Sequence, residues 1–157
     1  MADFGWAFLG CGNIAEQVAE QLFGERGMRI VSCWNRTPER ARKFAGRFGG
    51  SACASAEEAV LADGVNAAYI AVTADKHADY IRLCLSRGVP VLCEKPFTVN
   101  TSEAEQAFSL AKERGIYLAE AMWTWYNAPA RTVRDWVRSG KIGKVVRVTA
   151  KYAERYI

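Results

Sequence analysis

Trp6-Ala7-Phe8-Leu9-Gly10-Cys11-Gly12-Asn13-Ile14-Ala15, near the start of the chain, decides the fold. Four apolar residues in succession read as a buried strand, the two glycines as a tight turn, and the amphipathic stretch 13–23 as a helix. Gly24 and Gly27 frame the next turn, and a second apolar strand over 29–34 completes a βαβ unit. The segment Gly10 to Ala15 therefore carries G-x-G-x-x-(G/A) spacing in the strand-to-helix setting that this spacing requires. Gly10 permits the tight turn, Gly12 lets an anionic group approach the backbone, and Ala15 lets the helix lie close to the sheet. Free N–H groups and the positive end of the helix dipole at Asn13 and Ile14 would face that anion. A plain glycine turn without a ligand would have the same string.

Outward from this unit, strand-length and helix-length segments keep alternating. Thr37-Pro38 starts a basic helix to 48, a weak strand lies near Ala52, and Ser55 with Glu58 caps a short helix to 62. A strand over 67–72, a helix over 77–86 closed by Gly88, and a strand over 91–93 follow. A helix over 101–114, with Ser102 and Glu105 at capping-box spacing and a Gly115 stop, leads to a strand over 117–121. This alternation predicts an α/β fold, a doubly wound parallel Rossmann sheet of strand order 3-2-1-4-5-6. After Trp125 the pattern changes to a helix over 130–138, a Gly140 stop and an alternating strand over 145–152. The expected organisation is a dinucleotide-binding domain, 1–122, followed by 123–157 as the linker helix and first strand of a second α+β domain that is otherwise missing.

An NAD site usually carries an acid at the end of the second strand, about twenty residues past the glycine turn, to hold the ribose hydroxyls. Here no Asp or Glu occurs between Arg26 and Pro38, and the strand runs into Asn35-Arg36-Thr37. Arg36 can pair with a ribose 2'-phosphate through its guanidinium fork and Thr37 can add a hydroxyl donor, so NADP is expected before NAD. The alternative is that Arg36 and Arg40 lie on a solvated helix face.

A second constellation lies at the ends of the later strands. One runs into Ala71-Val72-Thr73 followed by His77, the next into Cys93-Glu94-Lys95-Pro96-Phe97. Lys95 there could hydrogen-bond a substrate oxygen and help move its proton, and Glu94 could bind a ribose hydroxyl or hold Lys95; a lysine after a strand can equally be plain surface. These residues resemble the Glu-Lys-Pro signature of the glucose-fructose oxidoreductase and inositol 2-dehydrogenase (Gfo/Idh/MocA) family. The glycine turn, the histidine after the Ile-Ala strand end, and Ala119-Glu120-Ala121-Met122-Trp123-Thr124 fit the same resemblance, nearest the dimeric dihydrodiol and D-xylose dehydrogenase branch. The resemblance implies an NADP-dependent oxidoreductase acting on a sugar, polyol or dihydrodiol hydroxyl, with Lys95 catalytic and Lys95-Pro96 in a cis bond. It places Ala71, Val72, Thr73 and Glu94 along the nicotinamide end, with His77 and Lys95 also among the cofactor-binding residues, and implies a homo-oligomer in a longer protein whose second domain builds the substrate pocket. Val72-Thr73 stand where the family often has Thr-Pro, and Trp125 where the branch often has arginine. Trp123, Trp125 and Tyr126 fit either a domain junction or substrate stacking.

Composition narrows the remaining classes. Twenty-one basic against 17 acidic residues give a net charge of +4 without a basic run, which argues against a nucleic-acid partner. No window approaches the roughly eighteen apolar residues of a membrane span, and no basic leader precedes residue 12, so a cytoplasmic protein is expected. The five cysteines show no CxxC spacing and sit in apolar runs, as buried thiols do, and with one histidine in the chain neither a metal site nor a cysteine nucleophile is expected. The competing function is a free-standing nucleotide-binding module without turnover.

Overall fold

A computed structural model describes residues 4–23 and 27–151. The chain divides into two compact units, Met1–Ala121 and Met122–Ile157. In the first, six strands form one parallel sheet: β1 (Phe4–Leu9), β2 (Met28–Trp34), β3 (Ser51–Ala52), β4 (Ala67–Ile70), β5 (Val91–Cys93) and β6 (Leu118–Glu120). Their order is β3-β2-β1-β4-β5-β6, the order expected of two βαβ halves that wind in opposite directions from the centre. Helices α1 (Asn13–Phe23), α2 (Pro38–Phe48), α3 (Ala56–Val60), α4 (His77–Ser86) and α5 (Thr101–Arg114) make the crossovers. Gly24, expected to frame the first turn, lies outside the described residues.

The strands alternate between two cores with the period of a pleated strand. Ala7 and Leu9 of β1, Ala68 and Ile70 of β4, and Val91 and Cys93 of β5 join Ile81 and Leu85 of α4. Phe8 and Tyr69 point to the other face, where Ala15 and Ala19 of α1 and Phe44 and Phe48 of α2 cover them. Phe8 lies with its ring centroid 5.2 Å from Phe44 and 5.1 Å from Tyr69, so an aromatic column runs from helix to sheet centre.

Several boundaries differ from the sequence reading for local reasons. The α5 cap is Asn100, whose side chain accepts from Glu103 N at 2.9 Å and donates to the Glu103 carboxylate at 3.1 Å, in place of the Ser102 and Glu105 pair. Both pairs have the right spacing, but only Asn100 has the extended backbone a cap needs. β4 ends at Ile70 and not at 72, and one turn of 3-10 helix, Ala74–Lys76, precedes α4.

In the second unit, α6 (Trp123–Tyr126) is followed by α7 (Ala128–Arg138). Asn127 caps α7 by accepting from Ala130 N at 2.8 Å, which starts that helix two residues before the expected 130. The strand expected over 145–152 is not formed across 145–151, and Tyr152 lies outside the described residues. Alternation supplies an apolar stripe but not a ladder partner, and no strand among the described residues pairs with this segment. No helix among the described residues is long and apolar enough to cross a membrane.

Candidate functional site

The site forms where β1, β2 and β4 end, the point at which the sheet reverses its winding and crossover loops part. Gly10 has φ +97°, and a Cβ on it would lie 2.5 Å from the carbonyl oxygen of Ala71, so only glycine lets the β1 end pass the β4 end this closely. Gly10 N donates to Trp34 O at 2.8 Å, and Ala71 N donates to Leu9 O at 2.8 Å. Cys11 N donates to the Asn35 side-chain oxygen at 3.1 Å, and the Asn35 amide donates to Thr37 O at 3.1 Å. Asn35 thus ties the glycine turn to the β2–α2 turn, a role its place in the string Asn35-Arg36-Thr37 did not reveal. At Gly12 nothing lies within 4 Å of where a Cβ would stand, so the backbone at the start of α1 is open to a ligand.

A groove of about 290 Å³ runs along these turns, lined by Gly10, Gly12, Trp34, Asn35, Arg36, Thr37, Arg40, Ala71, Val72, Thr73, Lys76 and Tyr80. An adjoining pocket of about 220 Å³ shares Gly12 and Arg40 and adds Cys11, Asn13, Glu16 and Lys43. Every charged residue lining the larger groove is basic, and Glu16 of the smaller one is paired with Arg47 at 2.9 Å. Open backbone at Gly12, a helix N-terminus and this cationic wall are the donor set that a dinucleotide's phosphates need. In the 3-10 turn beside the groove, the Thr73 hydroxyl holds the exposed Asp75 carboxyl below the usual carboxylate range, with smaller contributions from Lys76 and Arg36.

Of the residues expected to contact a cofactor, Gly10, Gly12, Arg36, Thr37, Ala71, Val72 and Thr73 line the larger groove and Asn13 the smaller. Ile14, exposed on the first turn of α1, lines neither, and Glu94 and Lys95 at the end of β5 also line neither. His77 is buried at 1% exposure and also lines neither. Its Nδ1 lies 3.0 Å from Pro96 O and 3.2 Å from Phe97 O, and its Nε2 lies 3.1 Å from Val72 O. The imidazole joins the loop after β4 to the loop after β5, and with both ring nitrogens against carbonyls it presents none to the groove. Trp34 at the end of β2, Arg40 on α2, Lys76 in the 3-10 turn and Tyr80 on α4 line the groove without having been singled out as contacts, since only the folded sheet shows which of their side chains face one space.

At the end of β5, Glu94 accepts from the Tyr69 hydroxyl at 2.7 Å and from Lys95 N at 3.1 Å. Burial and this carboxylate push the Tyr69 hydroxyl above its ordinary pKa, so it stays a donor. Phe97 N donates to the Glu120 carboxylate at 3.0 Å, and the Lys95-Pro96 bond is cis. The Glu-Lys-Pro-Phe loop is therefore held by β4, β6 and α4 together. Lys95 is exposed, and its ammonium makes no ion pair among the described residues.

Sheet order, glycine turn and groove define a Rossmann-type nucleotide-binding domain. The chain belongs to the GFO_IDH_MocA family, described as an oxidoreductase family with an NAD-binding Rossmann fold, which it matches over residues 4–121. It is similar to the scyllo-inositol 2-dehydrogenase (NADP(+)) of Bacillus subtilis, 32% identical over 150 residues covering 95% of this chain and 45% of that protein. It is likewise similar to the trans-1,2-dihydrobenzene-1,2-diol dehydrogenase of Mus musculus, 32% identical over 141 residues, 88% of this chain and 42% of that one. The crystal structure of KijD10, a 3-ketoreductase from Actinomadura kijaniata in complex with NADP and TDP-benzene, superimposes with a TM-score of 0.80 at 31% identity, over 88% of this chain and 43% of that one. The chain thus spans less than half the length of these relatives.

Proposed function

We propose that the groove holds NADP and that residues 1–157 are the cofactor-binding part of an oxidoreductase acting on a hydroxyl of a sugar, polyol or dihydrodiol. The observation that carries this is a groove at the ends of β1, β2 and β4 that opens on Gly12 and whose charged lining is entirely basic. A carboxylate for the two ribose hydroxyls of NAD is absent from that lining, whereas Arg36 and Thr37 offer a guanidinium and a hydroxyl to a 2'-phosphate. Bound NADP supplies the hydride acceptor, and NADPH the donor for the reverse direction. Gly12, Asn13 and the first turn of α1 receive the pyrophosphate, while Ala71, Val72 and Thr73 line the wall leading toward β5.

Lys95 is the proton-handling group in this reading. Its neighbours fix the backbone from which it projects: Glu94 anchored by Tyr69, and Phe97 N anchored by Glu120. In the reducing direction the Lys95 ammonium would hydrogen-bond the carbonyl oxygen as negative charge builds there and give it a proton, and in the oxidising direction its neutral amine would take the hydroxyl proton. Calorimetric titration of the 157-residue chain with NADPH and NADH tests the cofactor half of the proposal. NADPH binding at least about tenfold tighter, the scale of one charge-assisted contact, is expected. Equal affinities would refute it. The relatives' names support the substrate class, which is tested in a form carrying a substrate domain, where Lys95→Ala should lower turnover about a hundredfold with NADPH affinity within a few fold.

A further inference from the structure

The groove has two walls, and only the one built by the β2–α2 turn was legible as a selector of the cofactor. The opposite wall comes from the 3-10 turn and α4, which bring Lys76 and Tyr80 to the same cavity as Arg36 and Arg40. Neither arginine forms an ion pair among the described residues. Lys76 has one such partner, Asp79 at 3.8 Å, with both side chains more than half exposed. A pair of that kind contributes little and leaves the ammonium free to turn toward a better anion. Arg36, Arg40 and Lys76 face one space of about 290 Å³ that no carboxylate lines, and the exposed Asp75 carboxylate beside Lys76 and Arg36 offsets their mutual repulsion only in part. Tyr80 also leans on Trp34, ring centroids 5.2 Å apart and planes at 46°, so an aromatic surface adjoins the cationic one. Burial pushes the Tyr80 hydroxyl up, and the charge of Arg36, which lines the same cavity, works against that push.

We infer that the β4–α4 turn is a second determinant of cofactor choice: Lys76 completes, with Arg36 and Arg40, a three-cation pocket for the adenosine 2'-phosphate, and Tyr80, backed by Trp34, receives the adenine face. This rests on reading the groove as an NADP site. A phosphate monoester carries about −1.5 to −2 charges near neutral pH, so it can engage more than one cation. Base and 2'-phosphate sit on one ribose, which is why aromatic and cationic groups are needed side by side. The two contributions separate cleanly. The lysine acts on the phosphate alone, and the ring acts on any adenine nucleotide.

The test uses the 157-residue chain and two ligands, adenosine 2',5'-bisphosphate and AMP, titrated by calorimetry. Lys76→Gln should weaken the bisphosphate about tenfold and AMP by less than about twofold, the difference shrinking at high salt. Tyr80→Ala should weaken both by a similar factor, about five- to tenfold. Thermal melts show whether each variant is folded. A folded Lys76→Gln that keeps the wild-type ratio, or loses both ligands equally, overturns the lysine's part. A folded Tyr80→Ala that keeps both affinities overturns the tyrosine's. Wild-type chain that binds AMP without preferring the bisphosphate overturns the NADP reading as well, and binding of neither ligand overturns the nucleotide site altogether.

Discussion

Gly10 and Gly12 sit two residues apart in one motif, yet the structure gives them unrelated tasks, and alanine at each should separate fold from binding. At Gly10 the φ of +97° is left-handed, costing an L residue roughly 1–2 kcal/mol. The added methyl would also meet three backbone atoms, Ala71 O at 2.5 Å, Ala71 C at 2.6 Å and Val72 N at 2.8 Å, none of them a side chain that could swing aside. Relief requires the ends of β1 and β4 to part, stretching the Ala71 N to Leu9 O bond of 2.8 Å, worth about 1 kcal/mol. The sum is about 2–3 kcal/mol, a fall in melting temperature of about 10 °C for a unit this size. Gly12→Ala meets nothing within 4 Å and its φ lies outside the left-handed region, so its melting temperature should match wild type within about 2 °C. Its methyl, however, stands where a phosphate must come to reach the α1 N–H groups, and NADPH affinity should drop about tenfold or more. Thermal melts by circular dichroism and NADPH titration read the two effects. A Gly10→Ala chain that melts like wild type, or a Gly12→Ala chain that keeps its NADPH affinity, would refute this division.

Three further outcomes are expected. Arg36→Ala should lose about ten- to a hundredfold of NADPH affinity and leave NADH affinity nearly unchanged, and an unaltered ratio in paired titrations would remove Arg36 from the site. Burial pushes the Cys84 thiol from its ordinary 9.0 up to about 12; the folded state then holds the proton more tightly than the unfolded one, so stability is intact below about pH 9 and lost as pH rises toward 12. Melting temperature should accordingly fall between about pH 9 and about pH 12, less steeply in Cys84→Ala, and an identical slope in that variant would contradict the assignment. Finally, the 157-residue chain should bind NADPH but not reduce NADP with D-xylose or a cyclic diol, and robust turnover would show that a substrate site lies within it.

Most of the sheet was legible because it is written in short-range terms. Apolar runs, glycine stops and the Thr37-Pro38 start placed β1 to β6 in order, and the direction of winding followed from the parallel-sheet rule. What escaped is what tertiary contact decides. His77 reads as a polar residue at a helix start, and nothing local shows that three carbonyls from two loops enclose it. The Glu94 partner Tyr69 looked like one more apolar residue of β4, and the Glu120 contact with Phe97 N needs β6 beside β5 before it can be seen. The short helix α6 was missed because Trp123-Thr124-Trp125-Tyr126 has neither helical periodicity nor a cap side chain. For 145–151 the pattern was legible and the partner was not.

The central position of β1 also sets an order in time. β2, its neighbour on one edge, follows within residues 28–34, but the neighbour on the other edge, β4, comes only at 67–70. During synthesis, Ala7, Phe8 and Leu9, which the finished sheet buries completely, wait with one row of N–H and C=O groups unpaired until β4 has emerged. Closing that separation adds little to the final free energy, because loop entropy grows only with the logarithm of length, but it lengthens the interval before the second edge is filled. A nascent chain halted in that interval carries an apolar, open strand at its centre, and another copy's strand can take the place meant for β4.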